Sequence, residues 1–144
     1  MDQESLPARG SAILLLAVVA ISAIGCGSSG PQMGEVTGRA AYQDGVPPSG
    51  GVAVIRFEPV GRSAEGYSKA ASGDINQDGS YELQTIKPGD GALYGTYKVV
   101  FTILDSYRSG KSLVAEQYTS AETTPLEVVV DASSQTFDFE IERP

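Results

Sequence analysis

The most reactive side chain in this sequence is the thiol of Cys26, the only cysteine in the chain. It stands between two glycines, after an uncharged and mostly aliphatic segment of about 14 residues that begins at Ala12. That length is typical of the apolar core of a secretory signal and falls short of the ~20 residues with which a helix crosses a bilayer. The segment therefore predicts export, with residues 1–25 removed as a signal peptide.

The residues before the thiol, Ala23-Ile24-Gly25-Cys26, resemble the lipobox of bacterial lipoproteins. The resemblance implies cleavage beside the small residue Gly25 and lipidation of Cys26, which becomes the new N-terminus. One acyl chain binds a membrane only marginally, so stable anchoring takes more than one. The sequence departs from the family's pattern at Ala23, where Leu is favoured, and in having Arg9 as the only base near its start. A signal peptide cleaved elsewhere and an uncleaved anchor remain the alternatives.

A second group of candidate functional residues carries oxygen ligands. The run Asp74-Ile75-Asn76-Gln77-Asp78-Gly79 matches the first half of a calcium loop, in which alternate side chains converge on one hard cation. Asp74, Asn76 and Asp78 are therefore the candidate metal ligands, and Ca²⁺ is the one cofactor that the sequence offers. An EF-hand would need a bidentate glutamate where Thr85 stands. Because Asn, Asp and Gly also form tight turns, the alternative is a structural turn without metal.

The sequence contains no histidine, which bears directly on catalysis. Without imidazole there is no Ser-His-Asp or Cys-His pair and no histidine-ligated zinc, the commonest routes to nucleophilic and metal-assisted hydrolysis. Paired carboxylates remain, but Asp138, Glu140 and Glu142 alternate along a strand-like segment and are expected to face solvent. We expect the protein not to be an enzyme.

The charge balance excludes one class of partner. The formal net charge is -8 and the pI is about 4.4, and the ten basic residues are scattered along the chain. Binding of nucleic acid or of anionic lipid headgroups requires clustered Lys and Arg. No nucleic-acid partner is therefore expected, and the acidity is interpreted as a solubility feature.

From residue 35 onward, apolar and polar residues alternate with a period of two, and no segment has the helical period. Strands are expected at 35–42, 52–58, 69–75, 80–86, 96–104, 126–131 and 136–142. Gly, Pro and Asp turn signals separate them. The strands on either side of residues 76–79 are expected to form a hairpin. Outward carboxylates on the last strand predict that it lies at a sheet edge.

These features predict an all-β fold: a single antiparallel Ig/transthyretin-like β-sandwich of about seven strands over residues 35–144. A closed barrel is the alternative. Residues 26–34 are expected to form the lipidated cysteine and a flexible tether, since they are small, polar and rich in Gly.

The longest polar interval, residues 105–124, is long enough to be functional or to contain a short element of its own. Its two tyrosines, Tyr107 and Tyr118, are candidate partner-surface residues, because exposed tyrosine stacks on sugars and packs against proteins. The alternative for loop tyrosines is corner packing, with the hydroxyl bonded to backbone.

Several short motifs occur in an order that is similar to the carboxypeptidase regulatory-like domain, a transthyretin-like β-sandwich of bacterial surface proteins. They are Val36-Thr37-Gly38-Arg39, Asp44-Gly45, Ser49-Gly50-Gly51, Asp78-Gly79-Ser80-Tyr81, Lys87-Pro88-Gly89 and Gly95-Thr96-Tyr97-Lys98-Val99. In the family Pro-Gly directly precedes x-Tyr-x-Val, whereas residues 90–94 intervene here. The resemblance implies an accessory, non-enzymatic domain with no catalytic residues.

Together these observations predict an exported lipoprotein of the cell envelope, held to the membrane through its lipid anchor, with a structural or protein-binding module. Its partner is expected to be an envelope protein or a glycan. By family analogy Gly27, which is not the aspartate that retains some lipoproteins at the inner membrane, favours the outer membrane. The rival hypothesis is a carbohydrate-binding module, calcium-assisted and using the 105–124 interval.

Overall fold

The computed structural model describes residues 30–144, which form two β-sheets packed face to face. The nine strands are β1 (Met33–Tyr42), β2 (Val52–Pro59), β3 (Ala71–Asp74), β4 (Ser80–Glu82), β5 (Ala92–Leu93), β6 (Gly95–Leu104), β7 (Glu127–Val130), β8 (Ser134–Thr136) and β9 (Phe139–Ile141). The expected all-β sandwich is confirmed. The predicted signal peptide, 1–25, and Cys26 lie outside the described residues.

The first sheet is built around β1. On one edge β1 pairs with β4 and β5 in antiparallel orientation, and on its other edge it pairs with β8 and β9 in parallel orientation. The prediction of an entirely antiparallel sandwich is therefore wrong for the last two strands. The single strand expected at 136–142 contains β9 and the last residue of β8, and both strands lie at a sheet edge as predicted.

The second sheet has the order β3-β2-β6-β7, and all of its pairs are antiparallel. The long β2 and β6 strands pair along the whole of β2, from Val52 opposite Leu104 to Pro59 opposite Tyr97. Their alternating residues turn one face inward, and Ile55 and Val99 on that face are fully buried. This pair of strands is the platform on which the first sheet packs.

The hairpin predicted for the third and fourth strands forms only in part. β3 pairs with β2 in the second sheet, whereas β4 pairs with β1 in the first. Ser72 and Gln84 connect the two segments by two backbone hydrogen bonds of 2.9 Å, and beside the turn the Asn76 N–H donates to the Ser80 carbonyl at 2.8 Å. The intervening turn therefore carries the chain from one sheet to the other. A glycine at position 73 permits this corner, since the carbonyl oxygen of Glu82 occupies the space that a Cβ there would need.

The two sheets meet in an aromatic core centred on Phe57 of β2. Its ring centroid lies 5.9 Å from that of Tyr97, 6.1 Å from that of Phe137 and 6.2 Å from that of Phe139. Tyr97 belongs to the second sheet and Phe139 to the first, so Phe57 contacts both layers. Aromatic rings at such separations add directional attraction to the burial of their area.

Two expected segments differ in detail. The last two residues of the predicted tether are already strand, because Met33 and Gly34 pair with Leu93 and Ala92 of β5. The 105–124 interval contains a short 3-10 helix, Glu116–Thr119, the one helical element among residues 30–144. Over the same residues no helix has the length and apolar character needed to cross a membrane.

Replacing Phe57 by Ala is expected to lower the free energy of unfolding by about 4 kcal/mol, because the substitution leaves a cavity between the sheets. Urea unfolding of the purified protein measures the loss. Val60→Ala is the matched control: this side chain is 50% exposed, and its truncation should change stability by less than about 0.5 kcal/mol. Equal effects of the two substitutions would contradict the central position of Phe57.

Candidate functional site

The predicted calcium-binding run forms the turn that joins the two sheets. The Oδ1 atom of Asp78 accepts hydrogen bonds from the Ser80 backbone N–H at 2.9 Å and from the Ser80 hydroxyl at 2.6 Å. Gly79 has a φ of 87°, a conformation that favours glycine, and its N–H donates to the Asn76 carbonyl at 2.8 Å. Asp78 thus supplies the side-chain acceptor, and Gly79 the positive φ, that a tight turn requires.

A positive charge, that of Arg39 on β1, also contacts the turn. A guanidinium nitrogen of Arg39 donates to the carbonyl oxygen of Asp78 at 2.6 Å. The hydrogen bonds from Ser80 hold the pKa of the Asp78 carboxyl below its usual range, with a smaller contribution from the charge of Arg39. The carboxylate is therefore stabilised by protein donors.

Two of the three candidate metal ligands share a groove. Asp74 and Asn76 line an open polar groove of about 280 Å³, to which Glu82 contributes the second carboxylate, whereas Asp78 lies outside the groove lining. Across residues 30–144 there is no cluster of three His, Cys, Asp or Glu side chains arranged to hold a metal ion. Glu82 reaches the groove because β4 crosses to the first sheet, a placement that sequence spacing alone does not predict.

The two tyrosines predicted to form a partner surface have opposite environments. Tyr107 is 85% exposed, whereas Tyr118 is only 6% exposed. The prediction that Tyr118 contributes to a partner surface is therefore wrong. Tyr118 belongs to the 3-10 helix that packs on β6, and the neighbouring Ala115 N–H is fixed to the Glu142 carbonyl at 2.8 Å.

Corner packing explains other tyrosines. The hydroxyl of Tyr42 donates to the Leu113 carbonyl at 2.7 Å, and that of Tyr97 donates to the Leu93 carbonyl at 2.8 Å. Burial raises the pKa of Tyr97 to about 12, so this hydroxyl remains a donor at neutral pH. These side chains hold loops against strands and are not available to a ligand.

The C-terminal carboxylates face solvent as expected: Asp138, Glu140 and Glu142 are all exposed. One of them has a structural role. Oδ1 of Asp138 accepts the backbone N–H of Arg39 at 2.9 Å, at the break between β8 and β9 where no backbone carbonyl takes that place.

A patch that the sequence analysis missed lies where the chain enters the first sheet. We call it the entry patch and define it by Val60, Tyr67, Tyr94 and Val129. These residues line two adjoining grooves, the larger of about 330 Å³ and including Gln32. The N–H of Tyr94 donates to the Gln32 carbonyl at 3.0 Å. Val60 follows the strand expected at 52–58, and Val129 lies near the end of the one expected at 126–131. Sequence alone does not predict their exposure, because exposure depends on which strands lie beside them.

The opposite end of β1 carries a different arrangement. The Arg143 guanidinium lies 4.0 Å from the centroid of the Tyr42 ring and is paired with the Asp44 carboxylate at 2.7 Å. The hydrogen bond from Arg143 is the main cause of a lowered pKa at Asp44. This contact fixes the C-terminus to the first turn and leaves the exposed Val46 beside it.

The fold and these grooves define a two-sheet β-sandwich protein with open, shallow surface features. No family model matches the sequence, and no curated protein matches it. A solved structure that it resembles is a DUF3823 family protein from Parabacteroides merdae, with 18% sequence identity and a TM-score of 0.38. The match covers 79% of this chain and 47% of that one, so the chain spans about half the length of that protein.

The two aspartates of the turn should respond differently to mutation. Asp78→Ala removes the acceptor of both Ser80 hydrogen bonds and is expected to lower the Tm, whereas Asp74→Ala, at an exposed groove position, should leave it unchanged. Differential scanning calorimetry with and without millimolar calcium makes the measurement. A calcium-dependent rise in Tm that either substitution abolishes would contradict the structural-turn interpretation.

The lowered pKa of Asp78 predicts that its contribution to stability depends on pH. Because the folded state lowers the pKa of Asp78, its carboxylate contributes stability above the ordinary aspartate pKa of about 3.9 and loses that contribution as the pH falls through the folded value. The Tm difference between wild type and Asp78→Ala should therefore narrow in acid.

Tyr118 and Tyr107 provide a second matched pair. Tyr118→Ala should lower the free energy of unfolding by about 3 kcal/mol, as expected for truncation of a buried aromatic side chain. Tyr107→Ala should change it by less than about 0.5 kcal/mol. Chemical denaturation measures both. A negligible effect of Tyr118→Ala would contradict the burial of Tyr118 and make it a surface candidate again.

Proposed function

We propose that this protein is an exported lipoprotein, anchored in the cell envelope through acylated Cys26, whose β-sandwich is a non-enzymatic structural or protein-binding module. The observation that carries the proposal is the sequence Ala23-Ile24-Gly25-Cys26 at the end of an uncharged apolar segment, only a short distance before β1 begins at Met33. A thiol at that place can be acylated, and a folded domain follows it directly.

The organisation of the sandwich supports this role. Within residues 30–144 the buried apolar cluster extends from Val36 to Ile141 and draws on both sheets. A domain with such an interior suits display on a tether.

The likeness to carboxypeptidase regulatory-like domains belongs to the same proposal. Its turn motifs place glycine at positions 45, 79 and 89, and these glycines have φ values of 81°, 87° and 74°. Only glycine adopts that region readily, so the motifs mark real turns of the fold. An accessory module with no catalytic set accords with a sequence that lacks histidine.

The glycan-binding alternative loses one of its two platform residues, since Tyr118 is buried. A single exposed tyrosine, Tyr107, remains in that interval, and one ring offers a sugar little area. We therefore advance the protein-binding or structural role. For the location, Gly27 after the cysteine favours the outer membrane by analogy with other lipoproteins.

The decisive substitution is Cys26→Ala in the full-length chain. The wild type should yield a mature N-terminus at Cys26 carrying acyl chains, detected by mass spectrometry, and should partition with membranes. The variant should carry no lipid and leave the membrane fraction or retain its leader. Ser28→Ala is the control, because it changes a nearby small residue without touching the thiol. A wild-type mass without fatty acid would refute the anchor.

A further inference from the structure

The entry patch is an exposed apolar surface near the point where the chain enters the sandwich. Val60 and Val129 are each 50% exposed, and Tyr67 is 46% exposed. Gln32, which directly precedes β1, lines the same groove as Val60 and Val129. The side chains are valine and tyrosine, and tyrosine favours the boundary between lipid and water because its ring is apolar and its hydroxyl is polar.

The length of chain before the patch limits where the patch can be. From Cys26 to Gln32 an extended chain spans at most about 22 Å, at up to 3.6 Å per residue. With Cys26 acylated, the entry end of the sandwich is therefore held close to the lipid headgroups. A contact at this distance is intramolecular in effect, so a weak attraction suffices to orient the domain.

The charge of the patch permits such a contact. Four charged side chains line the two grooves, the bases Arg62 and Lys69 and the acids Glu65 and Asp131, and they cancel. The whole chain, by contrast, has a formal net charge of -8. The entry patch is thus a neutral surface on an acidic protein, and an anionic bilayer repels it less than the average surface of the molecule. The long stems of Arg62 and Lys69 can also lie along apolar surface.

We propose that the entry patch rests on the lipid bilayer to which the chain is anchored, so that the sandwich stands with the start of β1 toward the membrane and the Tyr42 end away from it. This inference rests on the proposed lipid anchor and adds an orientation to it. The occupant of the patch is the bilayer surface itself.

Three exposed valines allow a matched test. Val46 is 48% exposed, nearly the same as Val60 and Val129, but it follows the far end of β1. The ten residues of β1 separate the two ends by about 30 Å at a rise of about 3.3 Å per residue. Val60→Cys and Val129→Cys therefore report on the patch, and Val46→Cys serves as the control.

The experiment uses the full chain, produced with its leader, acylated and incorporated into vesicles of phosphatidylethanolamine and phosphatidylglycerol. Each introduced thiol is labelled with an environment-sensitive fluorophore, and lipids with brominated acyl chains are the quencher. We expect a blue shift and a loss of fluorescence at positions 60 and 129, with fluorescence retained at position 46. Two patch positions guard against one variant failing to fold.

Other outcomes overturn the inference in distinguishable ways. If the protein floats with the vesicles but the three positions are quenched equally, the orientation is wrong while the anchor stands. A blue shift at 60 and 129 without quenching by brominated lipid would mean that the patch contacts another protein chain. If the wild type fails to float and its Cys26 thiol takes up the label, the anchor itself fails, and the orientation with it.

Discussion

The pairing of β1 on both of its edges is the constraint on which the rest of the fold depends. At Gly38 the carbonyl oxygen of Phe137 comes so close that any Cβ would collide with it. The hydroxyl of Tyr81 donates to the same carbonyl at 2.5 Å, and burial raises the pKa of that hydroxyl well above its usual value, so it stays a donor. The absence of a side chain at Gly38 thus lets β1, β4 and the segment between β8 and β9 meet at one carbonyl group.

The last strand is interrupted at this contact. Between β8 and β9 the chain leaves the regular ladder, and the carboxylate of Asp138 replaces a backbone acceptor for Arg39. Phe137 lies within the break and Phe139 begins β9, and both rings lie within reach of Phe57 in the opposite sheet. Residues two apart in an extended chain share one face, so the aromatic contacts that hold the two layers together persist across the break.

Period-two alternation predicts the individual strands well, because a strand with one buried face must alternate wherever it occurs. The long β2 and β6 strands lie almost where their patterns place them. Pairing partners are less accessible, since a turn such as that at Asp78-Gly79 reverses the chain without specifying which sheet receives the next strand. For the same reason sequence does not predict the groove shared by Asp74 and Glu82. Tyr118 is buried by a single 3-10 turn, which is too short to leave a periodic signal.

The two ends of the sandwich differ in a way that bears on how a tethered module works. At the far end of β1, Arg143 is fixed to Asp44 and Tyr42, and Arg39 is fixed to the turn at Asp78. These contacts tie the C-terminus and the sheet-crossing turn to one strand, so this end is polar and well ordered by hydrogen bonds. Under the proposed orientation this end points away from the membrane and toward the proposed partner. Its charged groups are already hydrogen-bonded within the protein, which suits a reversible polar contact. An obligate interface would need a larger hydrophobic area than Val46 provides.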